Sequence, residues 1–432
     1  MDLPVSYAGR PVGTIIAHAG RTDLLYHSDW QTASDRFPIS IAMPVGPGPY
    51  SAELVLPWLM NLLPEGEPLR AMTRVLGMSG EDVIGLIVET GNDLAGALSI
   101  ASRSWPGAPD YRLVPDSEAL ERIITELPVR PFLVDEEGVS MSLAGAQDKL
   151  PVHWDGAKLS VPLNGAPSTH ILKPDNSRLP GSVQNEALCM TLARLVGLDV
   201  APVTTGMAGA RSYLLVTRYD RTTDAEGHVA RIHQEDFCQA LGRPPVAKYE
   251  FNRTGVRGPS LSDMIELTRQ HMTARDTTRL LDAAILNVAI GNVDSHAKNY
   301  SILLGPDGAT LAPLYDLMSG LAWDGITQNH AQEVGGQRRG RHIYGRHWRR
   351  LADASGLAAR ATVRRVEDMT ARLLRALPQA AEEVAAMPAS AGIMLGDFVR
   401  TISERIGEVR AHAGEEGVDT EEPEASGAQG YA

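Results

Sequence analysis

Cysteine is almost absent from the sequence. Its 432 residues include only two cysteines, Cys189 and Cys238. Neither belongs to a CxxC pair or to a ring of further ligands, which excludes a disulfide framework and a structural zinc site. We expect both residues to be reduced thiols packed within helices.

Long hydrophobic runs are also absent. No segment reaches the roughly 18 apolar residues that a membrane-spanning helix needs, and the N-terminal residues MDLPVSYAGR lack the basic and apolar regions of a signal peptide. The 40 basic residues are outnumbered by 53 acidic ones, which gives a net charge of −13. This balance argues against a protein that mainly coats nucleic acid, although it leaves a local basic patch open. We expect a cytoplasmic protein without membrane contact.

The N-terminal quarter of the chain has the pattern of short strands. The 432 residues are too many for one ordinary hydrophobic core, and 43% of them are hydrophobic, so we expect more than one hydrophobic core. Residues 1–105 predict a β-rich subdomain, with strands in RPVGTIIAH, DLLYHS and FPISIAMPV followed by amphipathic helices. Residues 103–116 are rich in proline and lack periodicity, so they predict a linker.

The rest of the chain changes from strands to helices. Residues 106–245 predict a small antiparallel sheet, because MSLAGAQDKLPVHW, AKLSVPL and THILK alternate in polarity. Residues 246–411 predict a mostly helical domain. Residues 412–432 are acidic and poor in large apolar side chains, so they predict a disordered tail. The mixture indicates the α+β class.

A cluster of polar residues follows one helix of the C-terminal region. The segment DTTRLLDAAILNVAIG predicts a helix with Asp276 as its N-cap and Gly291 as its stop. GNVDSHAKNY then brings Asp294 and Asn299, and a hairpin around GPDG leads to Asp316. Carboxylate and amide oxygens without cysteine suit Mg²⁺.

The spacing of these residues resembles the catalytic loop of a protein kinase. There, an Asp positions the acceptor hydroxyl, an Asn five residues later binds metal, and a second Asp follows. Those roles correspond to Asp294, Asn299 and Asp316. The alternative is a capped loop with solvated polar groups, and His296 is expected to support the loop rather than to bind metal or act as a base.

Residues further upstream match the same chemistry in the same order. The turn formed by Ala144, Gly145, Ala146 and Gln147 can offer backbone N–H groups to phosphates. Lys173 lies on a predicted strand and Glu186 on a predicted helix, the arrangement in which a strand lysine binds phosphates and a helix glutamate orients it. Each residue alone also fits an ordinary structural role. DFG and HRD triplets are absent, which excludes an ordinary eukaryotic-type kinase.

Several motifs follow one another along the chain: SLAGAQDK, THILKPD, VTRYDR, RIHQEDFCQALGRPPVAKYE, GNVDSHAKNYS and PLYDLMSG. Together they resemble the HipA family of bacterial serine/threonine-protein kinase toxins. The resemblance implies a two-lobed, protein-kinase-like fold that uses ATP and Mg²⁺, with residues 106–245 as its kinase-like nucleotide-binding lobe. It implies Asp294 as catalytic base, Asn299 and Asp316 as metal ligands, and Lys173 as a phosphate contact. The backbone near Thr217 and Tyr219 would meet the adenine, and Ser142 would be autophosphorylated.

The family also implies partners. They are a HipB-like helix-turn-helix antitoxin, operator DNA bound through that complex, and a protein substrate that is typically an aminoacyl-tRNA synthetase. Phosphorylation of the synthetase would arrest growth. Two alternatives stay open: a small-molecule kinase of similar fold, and a co-repressor whose nucleotide site is vestigial. Residues 335–350 carry six Arg and two His, which indicates either a solvated helix start or a surface for DNA or for tRNA-bound substrate.

Overall fold

The computed structural model describes residues 1–18, 20–100, 108–390 and 393–417. These residues form two compact units, and each unit is built from three separate stretches of the chain. The first unit contains Met1–Pro174, Met207–Pro245 and Ser301–Ala309, and the second contains Asp175–Gly206, Val246–Tyr300 and the chain from Thr310 onward. The four-part division proposed from the sequence stays a prediction.

Strands are concentrated in the first unit. In chain order the strands are β1 (Asp2–Tyr7), β2 (Arg10–His18), β3 (Arg21–Tyr26), β4 (Leu98–Ile100), β5 (Asp110–Leu113), β6 (Leu150–Trp154), β7 (Leu159–Leu163), β8 (His170–Pro174), β9 (Val203–Ala208), β10 (Arg211–Thr217), β11 (Arg221–Thr223), β12 (Val229–Arg231), β13 (His233–Asp236), β14 (Ser301–Gly305), β15 (Gly308–Leu311), β16 (Asn329–Val334) and β17 (Gln337–Arg339).

The longer helices belong to the second unit. In chain order the helices are α1 (Ser28–Thr32), α2 (Ala52–Met60), α3 (Gly66–Leu76), α4 (Val83–Thr90), α5 (Ser117–Glu126), α6 (Ser182–Leu195), α7 (Phe237–Ala240), α8 (Leu261–His271), α9 (Ala274–Ile290), α10 (Gly345–Ala354), α11 (Ala359–Ala385) and α12 (Ile393–Ala413). This mixture confirms the α+β class.

An antiparallel sheet in the order β3-β2-β1-β4 begins the first unit. It confirms the strands predicted in RPVGTIIAH and DLLYHS. The strand predicted in FPISIAMPV is wrong: Ile39 and Met43 are buried, but this stretch contains only an isolated bridge between Ser40 and Met43. Pro38 and Pro44 lack the N–H that a central strand must donate, so the apolar side chains fill the core from a loop.

The second sheet has the order β5-β7-β6-β8-β10-β9. It confirms the predicted antiparallel strands β6, β7 and β8. In the turn between β6 and β7, the Asp155 carboxylate accepts from the N–H groups of Ala157 and Lys158. The linker prediction is wrong for residues 110–113, since they form β5 and pair with β7. Residues 101–107 lie outside the described residues.

Helix α11, 27 residues long, packs against α6, α9, α10 and α12 in the second unit. Its fully buried side chains include Val366, Met369 and Leu373. Both cysteines are buried in helices, as predicted. Helix α12 extends to Ala413, so the predicted tail begins later than residue 412, and its residues 418–432 lie outside the described part of the chain.

No helix among the described residues is long and apolar enough to cross a membrane.

Candidate active site

Helix α9 carries the chain to the polar cluster. Its N-cap is Thr273 and not Asp276, because the two residues form a capping box in which the Thr273 hydroxyl accepts from the Asp276 N–H and the Asp276 carboxylate accepts in return. The predicted stop at Gly291 is confirmed, with φ of 70°. A Cβ at Gly291 would lie 2.5 Å from Cγ of Leu321, so only glycine allows this close turn.

Two side chains of the segment GNVDSHAKNY remain accessible. Asp294 and Asn299 are partly exposed, whereas every other residue from Gly291 to Tyr300 is buried. His296 is 6% and Lys298 is 5% exposed. The burial of His296 agrees with its expected role as loop support. Among these ten residues, therefore, only the predicted base and the predicted metal ligand can readily meet a bound molecule.

A local hydrogen-bond network fixes Asp294. The hydroxyl of Tyr249 donates to its Oδ1, and its backbone N–H donates to Oδ1 of Asn292 at 3.2 Å. Nδ2 of Asn299 donates to the carbonyl of Asp294 at 2.9 Å. Since this bond uses the donor end of the amide, the amide oxygen is the end that can bind a cation.

The segment around Asp316 runs beside this loop. The Tyr315 hydroxyl donates to the carbonyl of Lys298 at 2.6 Å, and the Gly320 N–H donates to the carbonyl of Gly291 at 3.0 Å. Asp316 adopts a left-handed backbone with φ of 56°. This conformation is uncommon for residues other than glycine, and Asp and Asn adopt it more readily than the others.

Helix α6 is attached to the same segment. The amide of Asn185 donates to the carbonyl of Ser319 at 3.2 Å and accepts from its N–H at 2.8 Å. The next residue, Glu186, is only 2% exposed. A carboxylate at this depth is found in proteins mainly where it interacts with a charged or polar partner. The second unit therefore gathers Asp294, Asn299 and Asp316 along two adjoining segments, with α6 attached to one of them.

In the first unit, the predicted phosphate loop directly precedes β6. Residues 144–149 are all partly exposed. The Glu65 N–H donates to the carbonyl of Gly145 at 3.0 Å, and Nζ of Lys149 donates to the carbonyl of Ala144 at 2.6 Å. The loop is thus accessible, but its Gly145 is bonded to Glu65, the N-cap residue of α3.

Ser142 is fully buried. Its hydroxyl donates to the carbonyl of Leu62 at 3.0 Å, and its N–H donates to the carbonyl of Asp93 at 3.2 Å. A phosphate on this hydroxyl has no room in such a site, and burying its charge is costly. A phosphorylated Ser142 would therefore require the loop to leave this position.

Lys173 and the predicted hinge occupy adjoining strands. Lys173 lies on β8 and is buried, with 7% exposure. Its register partner on the neighbouring antiparallel strand β10 is Leu214. Where β10 ends, Thr217 lies beside His170, with Oγ1 3.2 Å from Nε2. Burial lowers the pKa of His170 to about 4, so the ring is neutral at physiological pH. The Tyr219 hydroxyl donates to Oε1 of Gln234. These contacts fix both hinge residues.

A buried ion network lies next to the hinge, and the sequence pattern did not predict it. Asp93 contacts Arg221 at 2.9 Å, Arg231 at 3.3 Å and Arg218 at 3.6 Å, and Asp220 contacts Arg218 at 2.7 Å. Burial alone would raise the pKa of Asp93, but the three guanidinium charges outweigh it and hold the pKa below its usual range. The arginines of VTRYDR were the available signal, whereas nothing local identified Asp93 as their partner.

Family models match most of the chain. The model described as HipA-like C-terminal domain matches residues 141–380, and the model described as HipA N-terminal domain matches residues 3–101. All the site residues predicted from the sequence, from Ser142 to Asp316, lie within the first of these matches, and Asp93 lies within the second.

Two curated proteins and one solved structure illustrate the similarity. The putative kinase Y4mE of Sinorhizobium fredii is 37% identical over 390 residues, 88% of this chain and 92% of that protein. The serine/threonine-protein kinase toxin HipA of Shewanella oneidensis is 31% identical over 376 residues, 84% of each chain. The structure of Shewanella oneidensis HipA with HipB and operator DNA superposes with a TM-score of 0.81 at 27% identity, covering 95% of this chain and 96% of that one.

Proposed function

Because this chain belongs to the HipA family, we propose that it is an ATP- and Mg²⁺-dependent serine/threonine-protein kinase that acts as the toxin of a toxin–antitoxin pair. The observation that carries the proposal is the selective exposure of Asp294 and Asn299 in a segment that is otherwise buried. Their exposure leaves these two side chains accessible to a bound molecule, whereas His296 and Lys298 are buried.

The donor set fits a magnesium ion. Asn299 and Asp316 offer amide and carboxylate oxygens, which are the ligands that Mg²⁺ prefers. Both residues are partly exposed. Asn299 and Asp316 would hold the ion, and its charge would stabilise the phosphates during transfer.

Asp294 is the proposed base. Its carboxylate accepts the proton of a substrate serine or threonine hydroxyl as that oxygen attacks the γ-phosphorus of ATP, and ADP leaves with the electron pair of the broken bond. Lys173 binds the phosphates, and Glu186 belongs to the proposed nucleotide-binding residues. The N–H groups of Ala144, Gly145, Ala146 and Gln147 cover them, and the backbone near Thr217 and Tyr219 meets the adenine.

Autophosphorylation of Ser142 would inhibit the enzyme. The buried hydroxyl must leave its contact with Leu62 to receive a phosphate, and a dianion there repels the phosphates of ATP. The displaced loop then no longer offers its N–H groups. We further propose a HipB-like antitoxin, operator DNA bound through the antitoxin complex, and an aminoacyl-tRNA synthetase as substrate.

Induction of the protein without its antitoxin tests this function. Growth should stop, and quantitative phosphoproteomics should reveal a phosphorylated serine or threonine in a translation protein that is absent from cells expressing Asp294→Ala. Phosphate transferred only to metabolites would instead indicate a small-molecule kinase. Equal growth arrest by Asp294→Ala and by the unaltered protein would point to a co-repressor with a vestigial site.

A further inference from the structure

Strand β16, which is Asn329–Val334, has no part in the kinase chemistry described so far. The side chains of His330, Ala331 and Gln332 in its middle are buried. Within the described residues it pairs with β17, and that ladder joins only the two ends of the strand. Buried polar groups in proteins are nearly always hydrogen-bonded, so the polar groups in the middle of β16 need partners elsewhere in the second unit.

The backbone of β16 bonds to the residue that follows Tyr249. The Glu250 N–H donates to the carbonyl of Ala331 at 3.1 Å, and the Glu333 N–H donates to Oε2 of Glu250 at 2.9 Å. The Tyr249 hydroxyl donates to the carboxylate of Asp294. The strand is therefore fixed to the same short segment that bonds the proposed base.

The His330 ring reaches the segment of Asp294 directly. Its Nδ1 lies 3.0 Å from the carbonyl oxygen of Asn292, and a carbonyl can only accept, so Nδ1 carries the proton. Burial and the nearby charge of Arg405 lower the pKa of the ring to about 4, which leaves it neutral at physiological pH. Oδ1 of Asn292 accepts in turn from the Asp294 N–H at 3.2 Å. One residue thus connects His330 to the proposed base.

Gln332 bonds to the same segment beyond Asp294. With its amide nitrogen facing the Ser295 carbonyl, it donates to that oxygen at 2.8 Å, and its amide oxygen accepts from the Ala297 N–H at 3.2 Å. The opposite orientation would place oxygen against oxygen and donor against donor. Alternate residues of a strand point to the same face, so His330 and Gln332 meet the segment side by side.

The far side of the His330 ring is closely packed. A Cβ on Gly340 would lie 2.7 Å from Nε2 of His330 and 2.4 Å from Nη1 of Arg405. The backbone of Gly340 is not left-handed, so glycine is needed here for space and not for conformation. The ring has no room to withdraw from Asn292 toward Gly340, and its bond to the Asn292 carbonyl is therefore fixed in direction.

We propose that His330 and Gln332 are positioning residues of the kinase site. They hold the carbonyls of Asn292 and Ser295, on the two sides of Asp294, and so keep the base in the orientation that meets a substrate hydroxyl. Both side chains are 3% exposed, so they act through this segment and not by touching substrate or nucleotide. The inference rests on the proposed function.

Two substitutions of His330 separate its hydrogen bond from its packing. His330→Phe keeps a flat ring but cannot donate, whereas His330→Asn carries an amide nitrogen on Cγ, as histidine carries Nδ1. His330→Phe should lower kcat for phosphate transfer roughly 10-fold and change KM for ATP by less than about twofold. His330→Asn should recover a large part of the rate. Equal rates for His330→Phe and the unaltered protein would overturn the proposal, and so would equal losses in the two variants.

Gln332 gives an independent test with a matched control. Gln332→Met keeps the length of the side chain and removes its hydrogen bonds, so kcat should fall several-fold. Gln328→Met makes the same change at a partly exposed residue just before β16 and should leave kcat unaltered. Equal rates for the two variants would overturn the role of Gln332. This pair also tests the strand if His330→Phe does not fold.

The same assay distinguishes this inference from the proposed function. It measures labelled phosphate transferred from ATP by the unaltered protein and by each variant, while thermal unfolding and titration with a fluorescent ATP analogue verify folding and nucleotide binding. Absence of transfer by the unaltered protein would overturn the proposed kinase and the positioning role together. Transfer that His330→Phe and Gln332→Met leave at full rate would overturn the positioning role alone.

Discussion

The hydroxyl of Tyr249 donates a hydrogen bond to Oδ1 of Asp294. The Tyr249 ring also meets His296 edge to face, with 5.2 Å between centroids, and the preceding residue, Lys248, accepts the Ala297 N–H at its carbonyl at 3.1 Å. Tyr249 and Asp294 are 45 residues apart in the sequence. Contacts between two distant segments thus hold the proposed base in one orientation.

Removal of this hydroxyl should slow phosphate transfer without changing nucleotide binding. A hydrogen bond to a charged group contributes about 1.5–3 kcal/mol, so Tyr249→Phe should lower kcat by roughly 10-fold or more and leave KM for ATP nearly unchanged. Steady-state kinetics on the purified protein measure both constants. An unaltered kcat would show that the bond does not position the base.

Substitutions at Ser142 should separate its packing from its phosphorylation. Ser142→Ala loses the bond to Leu62 but adds no charge, so ATP binding should persist. Ser142→Asp introduces an acidic group into a fully buried site and should displace the loop, which would weaken ATP binding strongly. Titration with a fluorescent ATP analogue measures both. Equal affinities for the two variants would contradict the proposed inhibition.

Asp93→Asn should destabilise the first unit. The substitution leaves Arg221 and Arg218 buried with less opposite charge, and breaking a buried ion pair costs about 3–5 kcal/mol. Urea unfolding followed by tryptophan fluorescence should show a clearly lower midpoint. The control is Asp224→Asn, at an exposed turn, which should leave the midpoint almost unchanged; a similar small effect at Asp93 would mean that the network contributes little.

Stability should depend on pH through Glu235. Burial raises the pKa of Glu235 from 4.5 to about 8, so the folded protein holds this proton more tightly than the unfolded chain. The stabilisation is complete below about pH 4.5 and is lost as pH rises through about 8, at up to about 1.4 kcal/mol per pH unit.

Glu235→Gln cannot ionise and should lack this slope. Urea unfolding of both proteins at several pH values across the same interval gives the difference in unfolding free energy. A difference that stays constant with pH would contradict the protonated state of buried Glu235.

Local sequence signals predicted the parts of the fold that depend on local chemistry. The stop at Gly291, the strands around the Asp155 turn and the hairpin of β14 and β15 follow from backbone conformations and periodicities that neighbouring residues determine. Asp294 is partly exposed while the residues on either side of it are buried. This exposure agrees with its predicted role as the base, which must reach a substrate.

Features that depend on distant partners could not be predicted. Residues 110–113 form a strand because β7 offers a free edge to pair with, although their own pattern lacks alternation. Thr273 replaces Asp276 as the N-cap because both residues can cap, and the reciprocal bonds decide between them. Asp93 meets three arginines more than a hundred residues away, a pairing that only the folded chain defines.

The most direct test of the proposed kinase is the transfer of radiolabelled phosphate from ATP by the purified protein and by Asp294→Asn. This substitution keeps the size of the side chain and removes the carboxylate, so folding should be preserved, as thermal unfolding can verify. We predict Mg²⁺-dependent labelling of the unaltered protein at Ser142 and loss of labelling in Asp294→Asn. Labelling of Asp294→Asn at the unaltered rate would contradict Asp294 as the base and, with it, the proposed mechanism.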